Sequence, residues 1–239
     1  MNKAKAPVVE VKEEVEDFDD HLSADLTFDN FVVGNCNRIA QNAALAVALK
    51  PGTYNPLFLH SNSGLGKTHL LNAIGNYVKI KFPGKRILYT NAEAFVNDYV
   101  EAIGNNTIAT FNRRYRSVDV LLIDDIQFIA NKEGSMEMFF NIFNTLQHSG
   151  KQIVITSDKP PVELKGMENR LVSRFRQGLT VTIDNPEFET AKAILKKKIS
   201  SVTEHLSSSL VLESNNNKLV NKLKITHTTK GIAYAIPFS

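Results

Sequence analysis

The sequence lacks the features that mark secreted and membrane-bound proteins. Its 239 residues contain a single cysteine, Cys36, so no disulfide can form within the chain, which is typical of reducing compartments. No charged segment followed by a long apolar run occurs near the start, and the longest apolar run, residues 43–49, is too short to span a bilayer. We therefore expect a cytoplasmic protein without a membrane span.

Charge is distributed unevenly along the chain. Residues 1–25 carry eight acidic and three basic side chains, a balance of −5, and residues 10–20 contain almost no large apolar residue. We therefore expect residues 1–25 to form an acidic disordered linker. Residues 26–239 carry a balance of +8. This excess suits contact with a polyanion and equally suits a solvated lysine-rich face.

Short apolar runs alternate with amphipathic stretches over most of the chain. The apolar runs predict five strands, at residues 57–59, 86–89, 120–123, 152–156 and 179–183. The amphipathic stretches predict helices that begin near Thr68, Ala92, Glu137 and Met167, and a further helix over 187–199. With 43% hydrophobic residues, the chain can bury one sizeable core. This order predicts an α/β fold, a five-stranded parallel sheet with helices on both faces.

A glycine-rich loop, residues 61–68, directly follows the first predicted strand and reads Ser-Asn-Ser-Gly-Leu-Gly-Lys-Thr. Such a loop presents backbone N–H groups to a phosphate chain, while Lys67 binds the outer phosphates and the Thr68 hydroxyl binds Mg²⁺. The predicted nucleotide-binding residues of this loop are Ser63, Gly64, Gly66, Lys67 and Thr68. The full pattern has glycine where Ser61 stands, so a positive φ at that position would strain the loop and weaken nucleotide binding. The alternative is a plain turn between a strand and a helix.

Two adjacent carboxylates, Asp124 and Asp125, end the third predicted strand. P-loop ATPases hold their metal ion and orient water at such a position. Because neighbouring residues of a strand point in opposite directions, the two groups cannot share one role. We assign Asp124 to Mg²⁺, through its water shell, and Asp125 to polarising the attacking water. The alternative for such a pair is a helix cap.

Further polar groups follow the fourth predicted strand. Residues 156–158 read Thr-Ser-Asp, so Asp158 can either reach a γ-phosphate from the same edge of the sheet or simply begin a turn. Arg170 and Arg174 are four residues apart and therefore share one helix face. Two guanidinium groups on one face can bind the nucleotide of a neighbouring subunit or form surface salt bridges. The residues alone leave both pairs of alternatives open.

A more specific signal comes from five runs of residues, at 28–34, 54–58, 64–71, 121–128 and 170–175. Together they resemble the central ATPase domain of the bacterial chromosomal replication initiator DnaA, within the AAA+ class. The Asp-Asp-Ile-Gln-Phe sequence at 124–128 and the Ser-Arg-Phe sequence at 173–175 separate this family from other AAA+ ATPases. The resemblance covers about residues 26–200, and it implies a P-loop AAA+ ATPase domain over that range.

The resemblance implies roles for residues around the nucleotide. The segment 30–37, which includes Asn37, would form the adenine side of the pocket. His69 and Arg170 would also belong to the nucleotide-binding set. Asp158 would act as the first sensor of the γ-phosphate.

The resemblance also implies partners. Arg174 would be the arginine finger that completes the ATP site of a neighbouring protomer, so that ATP binding drives self-association. An inserted helical element, residues 92–115, would place Val100 beside one strand of DNA. Lys132, after the metal-binding strand, would bind the same strand through its phosphates, which suits binding without sequence readout.

Departures from the family pattern bear on activity. The family has two glycines where this chain has Ser61 and Asn62, and a commonly polar or basic residue at Gly134. Relatives continue past residue 200 into a helical lid with a second sensor arginine. No such pattern occurs over 201–239, which we expect to be a truncated or divergent lid and tail, so that the lid is incomplete. ATP hydrolysis is therefore expected to be weak at most.

The function implied by the resemblance is that of an ATP-binding domain of an initiator of chromosomal DNA replication, in contact with single-stranded origin DNA. The ligands would be ATP or ADP with Mg²⁺, and full-length initiator or helicase-loading factors would be further partners. One alternative is a regulatory or decayed fragment of the same family that binds nucleotide weakly. A second alternative is a helicase loader or a transposition-associated AAA+ ATPase, because these proteins share the phosphate loop.

Overall fold

The computed structural model describes residues 19–200 and residue 203, and its described part contains one parallel five-stranded sheet. The strands are β1 (Leu57–His60), β2 (Ile87–Asn91), β3 (Val120–Asp124), β4 (Gln152–Ser157) and β5 (Leu179–Thr182). Their order across the sheet is β2-β3-β4-β1-β5, and every neighbouring pair is parallel. The predicted α/β class and the five parallel strands are confirmed.

Helices connect the strands and flank the sheet. They are α1 (Arg38–Leu49), α2 (Lys67–Lys81), α3 (Ala92–Gly104), α4 (Ile108–Arg116), α5 (Glu133–His148) and α6 (Asn169–Phe175). Short 3₁₀ turns span Ile126–Ile129 and Pro161–Glu163. Helix α1 was not predicted, although its sequence is rich in alanine, the strongest helix former. Helix α5 begins four residues before the predicted position.

Side chains alternate along the strands between two apolar cores. On one face, Phe58, Leu121 and Ile123 pack with helices α3 to α6, which contribute most of the buried aromatic rings. On the other face, Leu57 and Leu59 pack with α1 and α2, whose buried residues are mainly aliphatic. Because all strands run in one direction, their carboxyl ends meet at one edge of the sheet, and the residues that follow them are brought together there.

Residues 19–25, which the sequence analysis assigned to the acidic linker, pack against this domain. The carbonyl of Asp20 accepts a hydrogen bond from the Tyr89 N–H at 3.0 Å, beside strand β2. The Ser23 N–H donates to the side-chain oxygen of Asn72 on α2 at 2.8 Å. Part of the predicted linker therefore belongs to the packed structure, because these backbone groups find partners on the domain. The rest of the predicted linker, residues 1–18, lies outside the described residues.

The chain divides into two compact units at residues 187 and 188. In the second unit the structure describes helix α7, residues 188–200, and Thr203. Its large apolar side chains Phe188, Leu195 and Ile199 are exposed. The predicted lid and tail, 201–239, lie outside the described residues apart from Thr203. Within the described part of the chain, none of the helices has both the length and the apolar character needed to cross a membrane.

Candidate functional site

The candidate site lies at the carboxyl edge of the sheet, where strand order brings three chain segments together. Strand β4 pairs with both β1 and β3, whereas β2, which separates β1 and β3 in sequence, lies beyond β3. The glycine-rich loop after β1, Asp124 at the end of β3 and Asp158 after β4 therefore converge. In open parallel sheets, ligands bind at such a crevice beyond the carboxyl ends of the strands.

Lys67 is a buried cation within this crevice. It is the first residue of α2, and only 6% of its side chain is exposed. Its Nζ donates to the carbonyls of Ser61 at 2.8 Å and Asn62 at 3.3 Å, and forms an ion pair with Asp158 Oδ1 at 3.0 Å. A buried ammonium requires partners of this kind. The contacts hold the charge beside the N-terminus of α2, where backbone N–H groups favour an anion.

The backbone of the loop uses glycine where the geometry demands it. Gly64 and Gly66 have φ of 79° and 97°. A Cβ at Gly66 would also lie 3.0 Å from the ring of Phe31. Ser61, in contrast, is not among the described non-glycine residues with positive φ, and its N–H donates to the Ser157 carbonyl at 3.1 Å, continuing the pairing of β1 with β4. The strain considered for Ser61 is therefore not present.

Asp124 is the most enclosed carboxylate of the crevice, with 3% of its surface exposed. Its Oδ2 accepts hydrogen bonds from the Thr68 hydroxyl at 2.6 Å and the Tyr89 hydroxyl at 3.2 Å, and its Oδ1 accepts one from the Thr156 hydroxyl. Burial, followed by the charge of Asp124, raises the pKa of Tyr89 far above its ordinary value, so that its hydroxyl remains a donor. Three hydroxyl groups thus fix the position of this carboxylate.

Asp125 has different surroundings from its neighbour. Its backbone is left-handed, with φ of 53°, so the chain turns out of the strand at this residue. Gln127 Nε2 donates to Asp125 Oδ1 and to Asp158 Oδ2, both at 3.1 Å, and so joins the two carboxylates. Burial raises the pKa of Asp125 despite the hydrogen bond from Gln127, and the charge of Asp124 raises it further. The two adjacent carboxylates differ as expected, because of this turn rather than through strand alternation.

The segment before α1 packs against the start of α2. His69 Nε2 forms a hydrogen bond with the Thr27 carbonyl at 2.7 Å, and the ring of Phe31 packs edge-on against His69 at a centroid distance of 5.2 Å. Asn37 is buried, and both polar atoms of its side chain bind backbone groups of residues 32 and 34. Asn37 therefore shapes the segment predicted to border the adenine, rather than extending its side chain into open space.

The two predicted interface arginines lie on α6, and both are accessible. The Arg170 guanidinium forms an ion pair with Glu168 and lies 4.5 Å from the ring centroid of Phe140. Arg174 Nη1 donates to Gln177 Oε1 at 3.2 Å. No group of the crevice described above is among these contacts. The predicted roles of Arg170 and Arg174 at a nucleotide therefore stay predictions.

Comparison with known proteins decides the family. The family model of the bacterial DnaA ATPase domain matches residues 22–182. This chain belongs to that family. The chromosomal replication initiator protein DnaA of Francisella philomiragia is 53% identical over 186 residues, which are 77% of this chain and 38% of the relative. The chain therefore spans less than half the length of this curated DnaA relative.

Solved structures of DnaA proteins agree with the fold. Domain III of the Thermotoga maritima replication initiation protein DnaA is 48% identical, with a TM-score of 0.74 over 77% of this chain and 76% of that one. A replication initiator DnaA bound to AMPPCP and single-stranded DNA is 42% identical, with a TM-score of 0.71 over 76% of this chain and 56% of that one. The predicted resemblance is confirmed, and the helicase-loader and transposition alternatives are not favoured.

The two residues that the DnaA resemblance implies for DNA lie on neighbouring parts of the surface. Val100 is on α3 and is 59% exposed. Lys132 is exposed and immediately precedes α5. A Cβ at Gly134 would lie 3.6 Å from the ring of Tyr99, so the middle of α3 contacts the start of α5. An exposed apolar group and an exposed cation are thus available on this side of the DnaA-type domain.

Sequence reasoning missed the roles of Tyr89, Gln127 and Thr156 in this DnaA-family site. Tyr89 lies on β2, next to β3, and binds Asp124 across the strand pair. Thr156 lies in the segment predicted to follow β4, but its bonds to Asp124 and to the Asp125 N–H depend on β4 lying beside β3. Gln127 lay within the Asp-Asp-Ile-Gln-Phe run that carried the resemblance. A hydroxyl near the carboxyl end of each flanking strand was the available signal.

Proposed function

We propose that this chain is the ATP-binding domain of a DnaA-type initiator of chromosomal DNA replication, which assembles through ATP bound between protomers and binds single-stranded DNA. The observation that carries the proposal is the convergence of Lys67, Thr68, Asp124 and Asp158 beside the N-terminus of α2. Membership of the DnaA ATPase domain family supports it. So does the related initiator bound to AMPPCP and single-stranded DNA.

The crevice supplies the groups that a triphosphate requires. Backbone N–H groups of residues 63–66 and of the start of α2 would bind phosphate oxygens, and the Lys67 ammonium would bind the outer phosphates. Asp158, which pairs with Lys67 and is bound to Gln127, would sense the terminal phosphate. In this arrangement the ion pair of Lys67 with Asp158 holds the cation in place before nucleotide binds.

Thr68 and Asp124 form a donor pair that suits Mg²⁺. Both present oxygen atoms, which lie 2.6 Å apart, and Mg²⁺ in nucleotide sites is bound by one or two protein oxygens together with phosphates and water. Across the described residues, no group of three or more His, Cys, Asp or Glu side chains is placed to hold a metal ion. The pair would hold Mg²⁺ jointly with the phosphates of a nucleotide, where the metal would neutralise phosphate charge.

Asp125 is the candidate group for orienting a water molecule. Burial raises its pKa, so its carboxylate accepts a proton more readily than an ordinary aspartate does. Gln127 donates hydrogen bonds to its carboxylate and to that of Asp158. We assign hydrolysis, where it occurs, to this pair of carboxylates, and treat it as secondary to binding and assembly.

Assembly would use Arg174 of one protomer at the ATP site of the next. Arg174 is partly exposed, and Gln177 is a neutral hydrogen-bond partner that a phosphate can replace. We expect Arg174→Ala to retain ATP binding by the monomer and to lose ATP-dependent association, because the variant lacks only the group offered to the neighbour. Arg176→Ala removes an equal charge two residues away and should assemble normally.

Sedimentation velocity with AMPPCP, ADP or no nucleotide, each with Mg²⁺, tests this proposal. For the wild-type chain and for Arg176→Ala, we expect a larger species with AMPPCP and a monomer with ADP or without nucleotide. Arg174→Ala should remain a monomer under all three conditions. A labelled single-stranded oligonucleotide added afterwards should sediment with the assembled species. Equal sedimentation under all nucleotide conditions, or normal assembly of Arg174→Ala, would contradict the proposal.

A further inference from the structure

The edge of the sheet opposite the nucleotide crevice is lined by a concentration of positive charge. Five chain segments lead into the five strands at this amino edge, namely residues 49–56, 79–86, 113–119, 147–151 and 174–178. Together they contain eleven lysine and arginine residues and a single carboxylate, Asp119. The +8 balance of residues 26–239 is therefore concentrated at one edge of the sheet rather than spread over a uniformly charged surface.

Asp119 links the turns that lead into β2, β3 and β4, and it pairs with two of the basic side chains, Lys85 and Lys151. Its side chain accepts a hydrogen bond from Lys151 Nζ at 2.6 Å and from the Arg86 N–H at 3.0 Å, and it lies 3.8 Å from Lys85 Nζ. The lone carboxylate is thus committed to fixing the start of β2, β3 and β4. It leaves most of the surrounding positive charge without a counter-charge.

Six of the basic side chains are exposed and have no ion-pair partner within residues 19–200. They are Lys50, Lys81, Arg86, Arg113, Arg116 and Arg176, and we call them the amino-edge surface. Lys79 and Arg114, in contrast, pair with Asp20 and Asp98. A face that is basic only for solubility would normally interleave both signs of charge. The six groups of the amino-edge surface have no paired carboxylate among the described residues, although Asp20, Asp98 and Asp119 pair with other basic groups of the same segments.

Helix dipoles explain part of the pattern but not the whole. Basic residues in the last turn of α2 and α4 complement the negative end of each helix. Lys50 and Arg176 are the C-cap residues of α1 and α6, and Arg86 lies outside the helices. The helix dipole therefore favours a cation at five of these six positions but not at Arg86, so it accounts for part of the positive charge and leaves that charge accessible to a ligand.

From these observations we infer that the amino-edge surface binds the phosphate backbone of double-stranded DNA without reading its sequence. Five strands span about 19 Å across the sheet, which matches five or six phosphates along one DNA strand. The surface consists of helix ends and short turns and projects no helix or ribbon that could enter a groove, so its contacts are to the backbone. This duplex-binding role is additional to the single-strand contact proposed for Val100 and Lys132.

This surface is separate from the nucleotide crevice. The five residues of β3 span about 16 Å between Asp119 and the carboxyl edge. Lys132 lies on the side of the carboxyl edge, where its N–H donates to the Ile129 carbonyl in the 3₁₀ turn that follows β3. Duplex binding at the amino edge therefore needs no ATP, so its test can fail or succeed independently of the proposed function.

The competing partner is an anionic membrane surface. Two exposed apolar side chains, Leu49 and Ile80, adjoin Lys50 and Lys81 and are 50% and 81% exposed. They lie at the α1 and α2 end of the edge only, whereas Arg86, Arg113, Arg116 and Arg176 extend the charge across it. A surface that is charged along its whole width but apolar only at one end favours a polyanion over a lipid layer. Binding to anionic vesicles is therefore measured alongside binding to DNA.

The test measures binding of a fluorescent 30-base-pair duplex of mixed sequence to the full chain without nucleotide, from 25 to 200 mM salt. The variant Lys81→Gln/Arg86→Gln/Arg116→Gln removes three charges from the amino-edge surface. Each lost phosphate contact should lower the slope of log affinity against log salt by about 0.9, or about 2.7 for three, with at least about tenfold weaker binding at 50 mM salt. The matched control, Lys165→Gln/Lys192→Gln/Lys196→Gln, removes three lysines elsewhere and should change the slope little.

Three outcomes would overturn the inference. The first is an equal loss of slope in both triple variants, which would indicate net charge alone. The second is binding of a single strand but not of the duplex, abolished by Lys132→Gln, which would place all DNA contact at the other surface. The third is binding to vesicles of anionic phospholipid with none to the duplex. Circular dichroism melting of each variant confirms that the compared proteins are folded.

Discussion

At the scale of single residues, Ser61 shows how a sequence pattern and a backbone can differ. The pattern of phosphate loops has glycine at this position, and the concern was strain at positive φ. The described backbone places Ser61 in the continuation of β1, where its N–H binds the Ser157 carbonyl. Positive φ occurs instead at Gly64 and Gly66, where glycine is present. The position of the left-handed residues cannot be read from the motif alone when one of its glycines is replaced.

Ser61→Gly should therefore leave nucleotide affinity unchanged within about twofold. The same change should lower the free energy of unfolding by about 0.5–1 kcal/mol, because glycine loses more backbone freedom in an extended segment. Fluorescent-nucleotide titration and urea unfolding measure the two quantities. A marked loss of affinity would show that the Ser61 side chain, which donates to the Asn62 carbonyl at 3.0 Å, positions the loop.

Tyr89→Phe tests whether the hydroxyl on β2 positions the proposed metal-binding carboxylate. Groups that orient metal ligands typically change metal affinity by about 10–100-fold when they are removed. Mg²⁺ is expected to increase the affinity for ATP, and the Mg²⁺ concentration at half of this increase measures metal binding. We expect that concentration to rise about tenfold in Tyr89→Phe. ATP binding without Mg²⁺ should be unchanged.

Tyr115→Phe is the matched control for that experiment. Tyr115 is also a buried tyrosine, and its hydroxyl donates to the Asp98 carboxylate at 2.9 Å. These two residues lie on α4 and α3, and neither contacts Asp124. Its loss should leave the Mg²⁺ dependence unchanged. The same shift in both variants would mean that Tyr89 acts through general stability only.

At the scale of elements, the period of apolar residues was enough to predict the strands, because strands buried on both faces read as short apolar runs. All five predicted strands are present within one or two residues of their observed ends. Helix α1 was not predicted, because its apolar run of alanine, leucine and valine was interpreted only as a candidate membrane span. The order of the strands, and with it the meeting of Thr156 with Asp124, depends on long-range pairing that no local pattern encodes.

Asp119→Asn tests whether the Asp119 carboxylate stabilises the fold by linking the starts of β2, β3 and β4. Burial alone would raise the pKa of Asp119, but hydrogen bonds from Lys151 and the Arg86 N–H, with the nearby lysine charges, hold its pKa below the ordinary value. A depressed folded-state pKa stabilises the fold above the unfolded pKa of about 3.9, and this stability is lost as pH falls through the folded value.

We therefore expect Asp119→Asn to lower the free energy of unfolding by about 1–2 kcal/mol at pH 7. The difference from the wild-type chain should shrink as pH falls below about 4. Urea unfolding at several pH values measures it, with the exposed Asp25→Asn as control. A difference that stays constant down to acid pH would show that the carboxylate charge is not what joins these turns.

At the scale of the whole molecule, local sequence was sufficient for the α/β class and the family, and it singled out residues that the fold brings together. Lys67, Asp124 and Asp158 were predicted from motifs and strand ends, and the structure brings them together at one edge. The amino-edge surface could not be predicted in the same way. Its charges come from five separate segments, and each segment alone reads as an ordinary helix end or turn.

The central claim is that the carboxyl edge of the sheet binds ATP. The most direct test measures equilibrium binding of ATP and ADP, with Mg²⁺, to the wild-type chain, Lys67→Ala and Lys159→Ala. Lys67 donates from a buried position inside the loop, whereas Lys159 is exposed beside the crevice. The account predicts micromolar or tighter binding to the wild-type chain and to Lys159→Ala, and at least roughly tenfold weaker binding to a folded Lys67→Ala. Absence of nucleotide binding to the wild-type chain, or equal binding by all three, would contradict it.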